Sequence, residues 1–252
     1  MKMTMMDKRI VLVTGASRGI GAATAKLLAA HGAAVAVNYH GSEAAANEVV
    51  ATIEAAGGRA VAIQADVRER AQVDAMVERA TAELGPVDTM VINAAIQFPI
   101  VPFIEYEWAA FEAKLLGELG AAFHCAKAVV PGMIERGSGC LIAVSSGLSR
   151  HPGPGFIAHS TAKSGLDAFA KSLALELGPH GIRVNVVAPG LTITDATAFM
   201  PEEQKQAMAR MTPLGRNALP EDVAGAVLAM ASDVTGFVSG AYVPVSGGSQ
   251  MP

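Results

Sequence analysis

Cysteine is nearly absent from this sequence: Cys125 and Cys140 are the two among 252 residues. They stand alone in apolar segments, without C-x-x-C or Cys/His spacing. That excludes a disulfide framework and a metal site, and predicts two buried thiols in a reducing compartment. Charge is scarce as well, at 17% of residues, with a formal net charge of −4 and no run of lysine or arginine. Such a chain carries no field that could track a phosphate backbone, so nucleic acid is not an expected partner. The opening MKMTMMDKRI lacks the apolar region of a secretion signal. No stretch of about 18 uncharged apolar residues occurs that would suggest a membrane span. Gly/Ser linkers, charge blocks and repeats at solenoid periods are missing too, so one domain over residues 1–252 is expected. A soluble, cytoplasmic protein is the expectation.

What is present is apolar surface, at 51% hydrophobic residues, arranged in alternation. Short β-branched runs occupy 9–14 (RIVLVT), 33–39 (AAVAVNY), 59–65 (RAVAIQA), 87–94 (VDTMVINA), 139–146 (GCLIAVSS) and 182–189 (IRVNVVAP). Between them lie longer alanine-rich stretches with helical spacing. Strands apolar along their whole length, rather than on alternate residues, fit a parallel sheet covered on both faces. The fold class is therefore α/β, a doubly wound parallel sheet. Glycines at "HGA" (31), "AGG" (56) and "LGP" (84) sit where a left-handed residue would close a helix.

The first strand runs into VTGASRGIGAA, with Gly15, Gly19 and Gly21 spaced T-G-x-x-x-G-x-G. Glycine at such a junction lets the backbone turn sharply and approach a pyrophosphate, which the following helix N-terminus then meets with N–H groups and its dipole. Glycine trios also serve plain turns; the position between first strand and first helix is what points to a dinucleotide. An acidic residue closing the second strand would select NAD through the ribose 2′-hydroxyl. Here Asn38, Tyr39 and His40 stand at that place, with Arg18 inside the loop. Nothing there repels a 2′-phosphate and Arg18 can pair with one, so NADP(H) is the expected cofactor. Asp66 is placed either to accept from the adenine amino group or to cap the next helix.

Taken together, TGASRGIG, ADV, INAA, AVSSG, Lys163, VNVVAPG and TPLGR…PEDVAGAVLAMASD…VSG…VPVSGG resemble the short-chain dehydrogenase/reductase family, over about residues 8–249. The resemblance is nearest to its 3-oxoacyl-carrier-protein reductase-like branch. It implies a single Rossmann-type domain of about seven parallel strands, a homotetramer, and hydride transfer between a nicotinamide and a carbonyl or alcohol. In that family a Ser and a Tyr hydrogen-bond the substrate oxygen, and the Tyr moves the proton. A Lys four residues later binds the nicotinamide ribose and lowers the phenol pKa, and an Asn positions a relay water. The implied cofactor contacts here are Gly15, Ser17, Arg18, Gly19, Ile20, Gly21, Asn38, Tyr39, His40, Asp66, Val67, Asn93, Ala94, Lys163, Pro189, Gly190, Thr192 and Thr194.

Carried over position by position, Ser146 and Lys163 match, but the tyrosine position holds His159 and the asparagine position holds Glu118. Three readings of that replacement stand side by side. In one, His159 is the proton donor of an NADP(H)-dependent carbonyl reductase, since imidazole titrates near neutrality, with Glu118 assisting. In another, the chain is a catalytically impaired member that binds cofactor, or a structural subunit in a hetero-oligomer with an active homologue. In the third, Ser146, His159 and Glu118 form a nucleophile–base–acid set for acyl transfer, against which stands the absence of a G-x-S-x-G elbow. His159 as a plain packed core residue is the bland alternative. Residues 191–212 match the family's variable substrate lid; Phe199, Met200, Met208 and Met211 give it an apolar face suited to an acyl-type or other hydrophobic carbonyl substrate. His31, His124 and His151 lack ligand spacing, and no metal is expected.

Overall fold

The structure is a computed structural model and describes residues 4–251. Of the opening MKMTMMDKRI, residues 1–3 lie outside it. The six apolar runs form β1 (Ile10–Val13), β2 (Ala34–Tyr39), β3 (Arg59–Gln64), β4 (Thr89–Ile92), β5 (Gly139–Val144) and β6 (Ile182–Pro189), and β7 (Tyr242–Val245) completes the sheet. All pairings are parallel, in the order β3-β2-β1-β4-β5-β6-β7. β2 and β4 are buried throughout and β1 at all but Ile10, while β3 and β7 at the two edges are only partly covered. That is why β1 and β4 read as continuous apolar runs.

Helices α1 (Gly19–Ala30), α2 (Glu43–Ala55) and α7 (Pro220–Ala231) cover one face of the sheet; α3 (Arg70–Leu84), α4 (Trp108–Arg136) and α5 (Ile157–Leu177) cover the other. Side chains alternate between the two layers: Leu12 packs with α3 to α5, Val11 and Val13 with α1, α2 and α7. A short helix, α6 (Glu202–Met211), lies in the connection from β6 to α7 and buries none of its residues. Among the described residues no helix is long and apolar enough to cross a membrane.

The expected helix stops hold at two of three places. Gly32 and Gly57 have φ of +101° and +81°, but Gly85, at φ +119° and ψ 176°, leaves α3 extended rather than in a left-handed turn. Cys125 and Cys140 are free and buried, and burial pushes their thiols up to about 12 and about 11. Strand order reverses at β1, which has β2 on one side and β4 on the other. The connections leaving β1 and β4 diverge there and open a crevice beyond the strand C-termini, where doubly wound sheets bind ligands.

Candidate active site

The floor of the crevice is backbone. Gly15 has φ +60°, and a Cβ on it would come within 2.9 Å of the Ala94 Cα. A Cβ on Gly21 would lie 2.4 Å from the Gly15 carbonyl oxygen and 2.6 Å from Asn93 Nδ2. The loop therefore exists in this shape only without side chains at those two positions. Thr14, which sequence reasoning passed over, ties it down: its hydroxyl accepts from the N–H groups of Asn93 and Ala94 at 2.8 and 3.0 Å. Asn93 donates through Nδ2 to the carbonyls of Thr14 and Gly15. Gly19 then opens α1, and Thr194 lies opposite, its Cγ2 3.5 Å from where a Gly19 Cβ would be. This open cradle at a helix N-terminus fits a diphosphate.

The residues expected around the ribose separate into two groups. Asn38 is 2% exposed; its Oδ1 accepts from Gly15 N, and its Nδ2 donates to the carbonyls of Tyr39, Ile63 and Ala65. Tyr39 is packed in the core, where burial, reinforced by Glu43, raises its phenol pKa. Asn38 thereby braces the glycine loop and the sheet, while Tyr39 packs in the core. His40 and Arg18 are exposed, and Arg18 Nη2 donates to Ser42 Oγ. Asp66 does not cap α3, whose N-cap is Glu69. Its carboxylate accepts from Arg68 N, Nε and Nη2, and that pairing, outweighing burial, pulls it down to about 2. Val67 is buried beside it. Across the crevice, Pro189 ends β6, a Cβ on Gly190 would meet Ser246 at 3.2 Å, and the buried Thr192 donates to the Gly190 carbonyl.

The other wall is built from charge. Lys163 Nζ donates to the Val144 carbonyl at 2.7 Å, which stitches the end of β5 to the second turn of α5 and brings Ser146 and His159 to the same end of the sheet. The same ammonium pairs with Glu118 Oε1 at 2.6 Å, and Lys114 pairs with Oε2 at 2.5 Å and donates to the Ile96 carbonyl at 2.8 Å. All three side chains are at most 5% exposed. Burial alone would raise the Glu118 pKa, but the two ammoniums outweigh it and hold the carboxyl at about 2. For Lys114 burial dominates and lowers the pKa, aided by Lys163 and opposed by Glu118.

His159 stacks on Phe98, with ring centroids 4.7 Å apart and planes 15° apart. Burial, then the charges of Lys163 and Lys114, push it down to about 3, against the smaller opposing pull of Glu118. That favours the neutral ring over the imidazolium around neutral pH. Its Nδ1 is buried without a partner. The acyl-transfer set is not assembled: Glu118 is held by lysines, Ser146 Oγ accepts from Leu148 N at 3.2 Å, and among the described residues no hydrogen bond joins Ser146 to His159. Lys114 and Phe98 were not among the sequence candidates. The i, i+4 spacing of Lys114 and Glu118 was the available signal for the first; the stack on Phe98 depends on a loop meeting α5, which no local pattern encodes. In the lid, Phe199, Met208 and Met211 are exposed at 65%, 39% and 71%, presenting an apolar surface.

Known proteins resemble the chain along nearly its whole length. The family described as Enoyl-(Acyl carrier protein) reductase matches residues 15–250. The cis-4-hydroxycyclohexanecarboxylate dehydrogenase of Sinomonas cyclohexanicum is 40% identical over 241 residues, covering 96% of each chain. The 3-oxoacyl-[acyl-carrier-protein] reductase of Synechocystis sp. is 38% identical over 250 residues, 99% of this chain and 100% of that one. A 7α-hydroxysteroid dehydrogenase, solved with NADH and 7-oxoglycochenodeoxycholic acid, superimposes with a TM-score of 0.93 at 31% identity, covering 99% of this chain and 97% of that one.

Proposed function

Because the chain belongs to the short-chain dehydrogenase/reductase family, and resembles its 3-oxoacyl-carrier-protein reductases, we propose that it is an NADP(H)-dependent carbonyl reductase or alcohol dehydrogenase with an atypical Ser-His-Lys site. The observation that carries this reading is the meeting, at one end of the sheet, of the glycine cradle at Gly15–Gly21 with Ser146, His159 and Lys163. Gly15, Ser17, Gly19, Ile20 and Gly21 would hold the diphosphate, with Ala94, Gly190 and Thr194 flanking it. Preference for NADP(H) is supported by Arg18 and Ser42 together at the mouth, where no acidic side chain occupies 38–40.

Bound there, the nicotinamide supplies or accepts the hydride. The chain's own part is to hold the substrate oxygen. Ser146 Oγ has an acceptor site filled by Leu148 N, which leaves its proton free to be donated. A buried nitrogen without a partner costs less as a bare acceptor than as an N–H, so the neutral His159 ring carries its proton on Nε2. His159 therefore polarises the oxygen as a hydrogen-bond donor instead of protonating it as imidazolium. The apolar lid supports a hydrophobic or acyl-type ketone as substrate, and the exposed Leu116 and Phe123 on α4 and Leu175 on α5 support assembly into a tetramer.

A second reading is favoured by a specific observation: Lys163 is engaged by Glu118 and Val144 while His159 is uncharged, which suits an impaired member serving as a cofactor-binding or structural subunit, with an active homologue as its partner in a hetero-oligomer. Calorimetric titration with NADPH and NADH, followed by a ketone panel on wild type, His159→Ala and His159→Tyr, separates the two. Activity lost in His159→Ala supports the reductase. Tight NADPH binding with no turnover, and activity gained in His159→Tyr, supports the impaired subunit.

A further inference from the structure

Two lysines, Lys114 and Lys163, face one carboxylate, Glu118, in a space where all three side chains are at most 5% exposed. Lys114 is the fully buried member, and burial lowers its pKa. Its ammonium reaches Glu118 Oε2 and the Ile96 carbonyl, and it stands 5.0 Å from the centroid of Phe98, the ring on which His159 stacks. One side chain thus touches the loop after β4, the carboxylate that anchors Lys163, and the aromatic plate behind the imidazole.

We propose that Lys114 is a positioning residue of the reduction site: held by the Ile96 carbonyl and Glu118, it clamps Phe98 behind the His159 ring and so fixes the imidazole that holds the substrate oxygen. The charged groups that face His159 are Lys163 on its own helix and Lys114 and Glu118 on α4, while Phe98 meets it from the loop after β4. Burial is the first cause that disfavours imidazolium there, and two like charges against one opposite charge add to it; the cation–ring contact fixes the plate that the imidazole lies on. The role proposed for Lys114 rests on the reading that His159 holds the substrate oxygen.

The test is an imidazole ¹⁵N NMR titration of the full-length protein between pH 5 and 8, with the His159 signals assigned by their loss in His159→Asn. In wild type, His159 stays neutral over the whole range. In Lys114→Met its pKa moves up, while Lys114→Arg keeps it down; in ketone reduction Lys114→Met lowers kcat by about 10-fold with KM unchanged, and Lys114→Arg restores it. A wild-type His159 that titrates within this range overturns the proposal without any variant, as does a folded Lys114→Met whose His159 behaves as in wild type, or a folded Lys114→Arg that behaves like Lys114→Met. Failure of the reductase reading looks different: wild type reduces no ketone, and the titration still decides what Lys114 does to His159.

Discussion

The two walls of the crevice are made by opposite means. The wall from β1 to α1 is backbone, shaped by Gly15 and Gly21 and braced by uncharged Thr14, Asn38 and Asn93. The wall from α4 to α5 is side chain, shaped by three buried charges and a ring stack. The first wall has little freedom to vary at Gly15 and Gly21, because a side chain at either collides with main chain. The second is tolerant in composition but unforgiving in balance, since each charge is stabilised by another. A chain of this family can therefore hold unusual side chains on the charged wall while its cradle keeps the familiar glycine spacing.

The contrast can be broken from the charged side first. Glu118→Gln leaves two ammoniums buried together without compensation, and loss of one member of a buried ionic group costs about 3–5 kcal/mol. Urea denaturation at pH 7 should show a loss of that size; a change below about 1 kcal/mol would mean that the cluster is solvated. On the backbone side, Gly21→Val forces a side chain against the Gly15 carbonyl and Asn93. Overpacking of this kind costs about 1–3 kcal/mol, which calorimetry should register as a roughly 10- to 100-fold weaker dinucleotide complex, with the ¹⁵N spectrum of His159 unchanged.

A pH series sharpens the same contrast. The folded pKa of His159, about 3, lies below its ordinary 6.5, so between those values the unfolded chain binds a proton that the folded one does not. Stability is then fully present above pH 6.5 and falls as the pH drops, by up to about 1.4 kcal/mol per unit. Glu118, held at about 2 against an ordinary 4.5, adds a further loss below pH 4.5. Urea midpoints of His159→Asn should be flatter than wild type between pH 6.5 and 4.5, and identical slopes would refute the buried neutral imidazole. The smallest effect belongs to the rim: Arg18→Ala should weaken NADPH binding by roughly 10-fold, the worth of a charge-assisted contact, and leave NADH binding unchanged.

The same division explains what could be read from sequence. The six strand runs and the glycine loop are local patterns, so they were legible, although the strand from the run 87–94 spans only Thr89–Ile92. Glu118 and His159 were identified by position, but what they do was not, since the charge on one and the neutrality of the other come from side chains on different elements. Asn38 shows the limit from the other direction: it stands where a ribose contact is expected, yet its amide accepts from Gly15 N and donates to three carbonyls. Of the two readings open for Asp66, the helix cap fails because the turn it closes with Arg68 ends before α3 begins.

The central claim is that a neutral His159 serves the reduction of a carbonyl held beside a nicotinamide. The most direct test is stopped-flow oxidation of NADPH with saturating ketone, comparing wild type with His159→Phe, which keeps the stack on Phe98 and removes the donor. The account predicts equal NADPH affinity and a turnover at least 10²-fold lower in the variant, the usual scale for a lost catalytic hydrogen bond. Equal turnover in the two proteins would contradict it.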